Sequence, residues 1–236
     1  MSLPMYKYPT YTLEMPVTKK KIKYRPFLVR DEKNLLLAQQ SEEEINMLDT
    51  LKGVITNCII DKNVNIDELP IFDIEYIFSQ LRVKSVGENV ELIFTCQNTE
   101  CKEKTKLSFK IDPKLVIPEG HTNKLELFDD VGVVMKYANT SMLKDIQQMD
   151  LSDPDAIVSL IAKSIDYIYD AESVHHAKDE KFEDLVKFVE SLPRNATEKI
   201  KKFFETTPKL QQKVEFKCPK CEHANSYDVE GIESFF

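Results

Sequence analysis

The chain has 236 residues, a formal net charge of −8, and 42% hydrophobic and 31% charged side chains. That length buries a substantial core, as one domain or as a core carrying an insertion, and the composition is ordinary for a globular protein. The acidic balance disfavours a general nucleic-acid binder, no apolar run approaches the roughly 20 residues of a membrane span, and the N-terminal stretch has no secretory h-region.

Residues 1–30 read as an extended basic arm that ends in a short strand. Pro4, Pro9 and Pro16 are interspersed with Tyr6, Tyr8 and Tyr11, and each proline fixes φ and removes a backbone donor. Lys7, Lys19, Lys20, Lys21, Lys23, Arg25 and Arg30 face Glu14 alone in this stretch. The arm therefore opposes a strongly acidic remainder, a polarity suited to arm-to-body contact within or between chains. A solvated basic strand lying on its own body is the plainer account. Lys21-Ile-Lys-Tyr-Arg alternates as a strand does, and Pro26 ends it.

Residues 31–88 read as helices. The first covers Asp31 to Gln40. A capping box, Ser41-x-x-Glu44, opens the second, whose stripe is Ile45, Leu48, Leu51, Val54, Ile55, Cys58 and Ile59. Cys58 on that stripe is expected in the core. The third starts at Pro70 and ends before Gly87.

Residues 89–138 and 209–236 read as one discontinuous, zinc-ribbon-like β unit, interrupted by an inserted helical block at 139–208. Helices are expected at 140–149, 155–170, 180–192 and 196–206, the second of them opened by Asp153 as N-cap and Pro154 at N1. The fold class is α+β, with N-terminal helices, a ribbon-like β unit and the helical insertion.

Cys96-x4-Cys101 and Cys218-x2-Cys221 each lie beside strand-like segments: Val90-Glu-Leu-Ile-Phe-Thr, Leu107-Ser-Phe-Lys-Ile and Val214-Glu-Phe. Thiolates on tight turns between strands can converge on one tetrahedral Zn²⁺, and four of them close the site to substrate. The metal role is then structural. A degenerate ribbon that keeps its cysteines without metal is the alternative. Two such pairs and a leftover cysteine suit a reducing cytoplasm, that of a host cell included, better than a disulfide framework. His121, His175, His176 and His223 read as turn and loop residues. No G-x-S-x-G, P-loop, G-x-G-x-x-G or H-E-x-x-H occurs, so no catalytic constellation is expected.

Several segments carry a resemblance when taken together. Leu3-Pro-Met-Tyr-Lys-Tyr-Pro-Thr-Tyr leads to Lys23-Tyr-Arg-Pro-Phe-Leu-Val-Arg-Asp-Glu-Lys-Asn-Leu-Leu-Leu-Ala; Leu69-Pro-Ile-Phe-Asp-Ile-Glu-Tyr-Ile-Phe and Arg82-Val-Lys-Ser-Val-Gly follow, before the first cysteine pair. This resembles the baseplate hub protein family of T4-like tailed bacteriophages, most densely over residues 3–101 and again at the second cysteine pair. The resemblance implies a non-enzymatic structural or assembly protein of a contractile tail. It would be made in the host bacterial cytoplasm, with the virion baseplate as a further location. Implied partners are other hub subunits or the tape-measure protein, without nucleic acid. Tyr24, Arg25, Phe27, Phe72 and Tyr76 are the residues expected to meet such partners, with core burial as the competing account of the apolar ones. A zinc-ribbon protein that binds nucleic acid or acts in transcription is the alternative function. The mixed-to-acidic character of Cys218-Pro-Lys-Cys-Glu-His-Ala-Asn-Ser-Tyr-Asp-Val-Glu counts against it.

Overall fold

Alternating side chains make the first element: Tyr11–Glu14 (β1) pairs antiparallel with Lys21–Tyr24 (β2), inserting Leu13, Ile22 and Tyr24 on one side. The structure is a computed structural model and describes residues 7–39, 44–150 and 152–231. The expected capping residue Ser41 and the first six residues of the arm lie outside these. The later part of the expected arm is no free extension. Its strand is hydrogen-bonded to β2, and Leu13 and Met15 are buried.

Val29–Gln39 (α1) starts where Asp31 reaches back to accept the Leu28 N–H (2.9 Å) while its own N–H donates to the Leu28 carbonyl (2.8 Å). The Asp31 carboxylate supplies one half of a capping box, and a backbone turn takes the place of the other because Leu28 has no side-chain acceptor. Glu44–Cys58 (α2) follows, burying Leu51, Val54, Ile55 and Cys58 at helical spacing, and Arg25, the residue after β2, donates its N–H to the Cys58 carbonyl at the helix end. Ile71–Ser85 (α3) buries Phe72, Ile74, Ile77, Phe78 and Leu81, more than a single stripe.

Asn89–Thr95 (β3) and Lys104–Lys110 (β4) form one cysteine hairpin. Lys114–Val116 (β5) lies beside a much later strand, Lys209–Lys217 (β10), which also pairs with Ala224–Glu230 (β11). Val90, Phe94, Ile111, Val214 and Val229 are a small core of their own, so apolar burial as well as the cysteines joins segments far apart in sequence.

All of these belong to a first compact unit, made of the chain up to Ile66, Phe72–Val116, and the chain from Lys209 on. The second unit takes Asp67–Ile71 and Ile117–Pro208. Its sheet is antiparallel: Lys124–Phe128 (β6), Val131–Met135 (β7), Ile165–Tyr169 (β8) and Val174–His176 (β9), in that order. Thr140–Gln148 (α4), Pro154–Lys163 (α5), Phe182–Glu190 (α6) and Arg194–Glu205 (α7) complete it. Leu125, Leu127, Val133, Met135, Ala162, Ile165, Leu185, Val189, Ile200 and Phe203 are among its buried core.

Two differences from the sequence reading follow. Within 117–138, β6 pairs with β7 and β7 with β8 inside the second unit, so the division falls at Val116 and Ile117 rather than at 138. The helix expected over 155–170 stops at Lys163, where Ser164 caps it, and the chain continues as β8. Ile165, Ile168 and the tyrosines continue the helical spacing in sequence, but they are β-formers and β7 offers them a ladder. Asp153 does accept the Asp155 N–H (3.0 Å) with Pro154 in the first turn. Gly132 in β7 sits opposite Tyr169; a Cβ there would run into that ring and the Leu125 carbonyl, which is why the strand carries glycine here.

Candidate metal centre

The two cysteine turns are built alike despite their different lengths. The ladder of β3 and β4 runs to Thr95 opposite Lys104, and the next bond is the Cys96 N–H to the Glu103 carbonyl (2.8 Å). The ladder of β10 and β11 runs to Lys217 opposite Ala224, and the Cys218 N–H then donates to the His223 carbonyl (2.9 Å). Each turn reverses through a left-handed residue directly after its second cysteine, Lys102 (φ 48°) and Glu222 (φ 57°). Each of those residues donates its N–H four positions back, to Asn98 and to Cys218. The x4 spacing thus adds residues between the first cysteine and the turn and leaves the turn itself unchanged.

The hairpins bring Cys96, Cys101, Cys218 and Cys221 together with every pair of sulfurs within 4.8 Å. Cys96 and Cys221 are 3.7 Å apart, Cys101 and Cys218 3.8 Å. Those are separations of unbonded thiols, and all four cysteines are free. They also match the edge of about 3.8 Å expected for a tetrahedron with Zn–S bonds near 2.3 Å. Cys96 and Cys218 are buried, while Cys101 and Cys221 are half-buried.

Backbone amides point at the sulfurs. Burial raises the Cys96 thiol, against the N–H of Asn98, which draws it down. The Glu103 N–H draws Cys101 down, yet burial and the neighbouring thiols leave it raised, at about 11. For Cys218 burial is outweighed by the N–H groups of Lys220 and Cys221 and by the thiols around it, which bring it down to about 7. Three of the four sulfurs already receive backbone N–H donors, which suits a metal that needs thiolates, because those donors carry part of the thiolate charge. Lys220 and Glu103 pair across the two turns at 3.2 Å, but both are exposed and the pair contributes little.

The residues expected to meet partners fare differently. Tyr24, Arg25 and Phe72 are 3%, 3% and 4% exposed, so they are corrected from interface to interior. Arg25 donates to Asp31 (2.7 Å) and to the Pro26 carbonyl (2.8 Å), an inward ion pair at the start of α1. Phe72 is one of the extra apolar positions that α3 buries. Phe27 and Tyr76 are half-buried and keep accessible edges; the Phe27 ring packs on Phe78 at 5.8 Å. Cys58 is fully buried, which pushes its thiol up to about 12.

His223 is exposed and contributes only its carbonyl, not its ring, to the second turn. His175 and His176 lie in β9 rather than in a loop. His121, which has no sequence signal beyond its turn, proves to be held on both ring nitrogens, 2.9 Å from Thr206 and 2.9 Å from Tyr137.

Beyond the fold and the cysteine cluster, the chain can be placed by comparison. The family model described as T4 bacteriophage base plate protein matches residues 8–236. The chain belongs to this family. The match runs through both compact units and both cysteine turns, including the region 139–208 that carries no distinctive motif. No curated protein and no solved structure matches the chain. Base plate family membership supports a structural role in the phage tail rather than a catalytic one, in company with other tail proteins. Among the described residues no helix is long and apolar enough to cross a membrane.

Proposed function

We propose that this chain is a structural or assembly protein of a contractile phage tail that acts in forming the baseplate hub. It binds other tail components, such as hub subunits or the tape-measure protein, and a single structural Zn²⁺ is held by Cys96, Cys101, Cys218 and Cys221. The observation that carries the tail assignment is the base plate family match over residues 8–236. The metal reading rests on four sulfurs mutually within 4.8 Å. Four protein ligands leave no position for a substrate or an activated water, so such a centre stabilises a shape and does not catalyse. The ribbon-like character of the first unit follows from the same geometry, two hairpins joined at their turns. Phe27 and Tyr76 are the remaining candidates, of the five named, for a partner surface.

The test is a phage lacking this protein, grown in the host cytoplasm and complemented with a tagged copy. Tails without base plates in the absence of the protein, and co-purification of a hub subunit or the tape-measure protein with the tagged copy, are the expected results. Normal base plates without it overturn the assignment. For the centre itself, elemental analysis of protein purified without chelator is expected to show one zinc per chain. A metal-free protein would sink that part alone.

A further inference from the structure

We infer that Asn225 and Asn98 are positioning residues of the four-cysteine centre, forming an amide clasp that holds the two cysteine turns at metal-binding distance. The inference rests on the metal reading of the four cysteines and concerns side chains that are not ligands.

Asn225 is 2% exposed, at the first inward position of β11. Its Oδ1 accepts the N–H of Gln97 (2.7 Å), the residue directly after Cys96. Its Nδ2 donates to the His223 carbonyl (2.9 Å), the same oxygen that receives the Cys218 N–H. A continuous path therefore runs from the backbone of Cys218 through one buried side chain to the backbone beside Cys96. The orientation of the amide is fixed by its partners, because turning it over would set an N–H against an NH₂ and a carbonyl against a carbonyl.

Asn98 completes the crossing from the other side. Its Oδ1 accepts the Glu100 N–H (3.0 Å), which leaves Nδ2 to point at Cys221 Sγ, 3.9 Å away on the opposite turn. Its backbone N–H serves Cys96 on its own turn. One residue thus supplies an N–H to a sulfur of each hairpin, and donors of this kind draw charge from a thiolate and tune the metal it binds. Between the two asparagines the Gln97 side chain pairs with both backbone groups of Ser226, accepting from its N–H (3.2 Å) and donating to its carbonyl (2.9 Å). The clasp satisfies buried polar groups, as any folded protein must. What sets it apart is that Asn98 reaches a sulfur of each hairpin, while Asn225 ties the backbone beside Cys96 to the carbonyl that receives the Cys218 N–H.

A control lies further along the same strands. Gln212 accepts the Asp112 N–H (2.8 Å) and donates to the Lys110 carbonyl (2.6 Å), an equivalent amide bridge away from the cysteines. The full chain, stripped of metal under reducing conditions, is titrated with Co²⁺, and Zn²⁺ affinity is read by competition. Asn225→Ala is expected to weaken Zn²⁺ binding about 10–100-fold, the range seen for outer-shell partners. Gln212→Ala should leave the affinity unchanged. Asn98→Ala should shift the sulfur-to-cobalt charge-transfer band, which a merely structural role would not move. Equal losses for Asn225→Ala and Gln212→Ala, or no loss in either, overturn the clasp. If Asn225→Ala does not fold, Asn98→Ala decides: its side chain is half-buried, and an unmoved band with unmoved affinity overturns the inference. A wild-type chain that takes up no Co²⁺ overturns the metal reading together with the clasp, whereas uptake by wild type with silent variants removes the clasp alone.

Discussion

Asp73 and Glu75 sit two positions apart in the first turns of α3, and neither is at ease as an anion. Asp73 is 1% exposed with its Oδ1 unpartnered, and burial raises its carboxyl to about 6. Burial, reinforced by the charge of Glu230, raises Glu75 to about 7. A carboxyl raised in the folded state contributes stability that is complete below the ordinary carboxylate range and is lost as pH climbs through the raised value. The pair therefore weakens the fold as pH rises through about 6 and about 7. His121 works the other way: burial lowers it, so its contribution is complete above the ordinary imidazole value and is lost as pH falls. The Thr206 hydroxyl donates to the Lys202 carbonyl (2.7 Å), so His121 Nδ1 carries the proton toward Thr206, and Nε2 is left to accept from Tyr137. Glu75→Gln should therefore gain on wild type between about pH 5 and about pH 8, by on the order of 1–2 kcal/mol, in urea unfolding. A gain that does not change with pH would show that Glu75 carries no strained charge.

At the scale of elements, the N-terminal hairpin and the cysteine hairpins show how local pattern and tertiary context divide the work. The stretch around β1 has the composition of an arm, with prolines and tyrosines, yet Leu13 in the strand and Met15 just after it are enclosed, and the backbone of β1 completes β2. Removing residues 2–18 should strip β2 of its partner and uncover Ile22 and Tyr24, 1% and 3% exposed, lowering the melting temperature by on the order of 10 °C. An unchanged melting temperature with weakened partner binding would instead make this stretch an arm that serves contact between chains. The switch from α5 to β8 makes the same point. Apolar spacing at 157, 160, 161, 165 and 168 satisfies a helix, and only the waiting edge of β7 draws the last part into the sheet.

For the whole molecule, the placement of the cysteines matters more than their number. All four lie in the first unit, while the second has its own core, from Leu125 to Phe203. Stripping the metal with a strong chelator should lower the stability of the first unit and leave the second protected. Amide hydrogen exchange would then rise in β3, β4, β10 and β11 but not in β6, β7 or α7. Uniform loss of protection throughout would show that the two units unfold as one. A joint of this kind, holding together segments from the middle and the far end of the chain, suits a protein that must keep its shape within a tail assembly.

Residue order alone shows the elements whose rules are local: α3, the cap of α5, the alternation of β3 and β10, the thiolate turns, and a family resemblance that the base plate match upholds. It also indicated that the two cysteine pairs belong together, because spacing and turn chemistry survive without knowledge of the fold. Which apolar and polar residues are covered depends on how the elements pack. Tyr24, Arg25 and Phe72 read as surface or core with equal ease, since hydrophobicity says what avoids water but not what encloses it. Asn98 and Asn225 carry no signal at all in one dimension, because an asparagine in a turn and one near a strand end are commonplace. Their role arises from folding, which sets Asn98 beside the Cys221 sulfur and Asn225 against the backbone next to Cys96, each more than a hundred positions away.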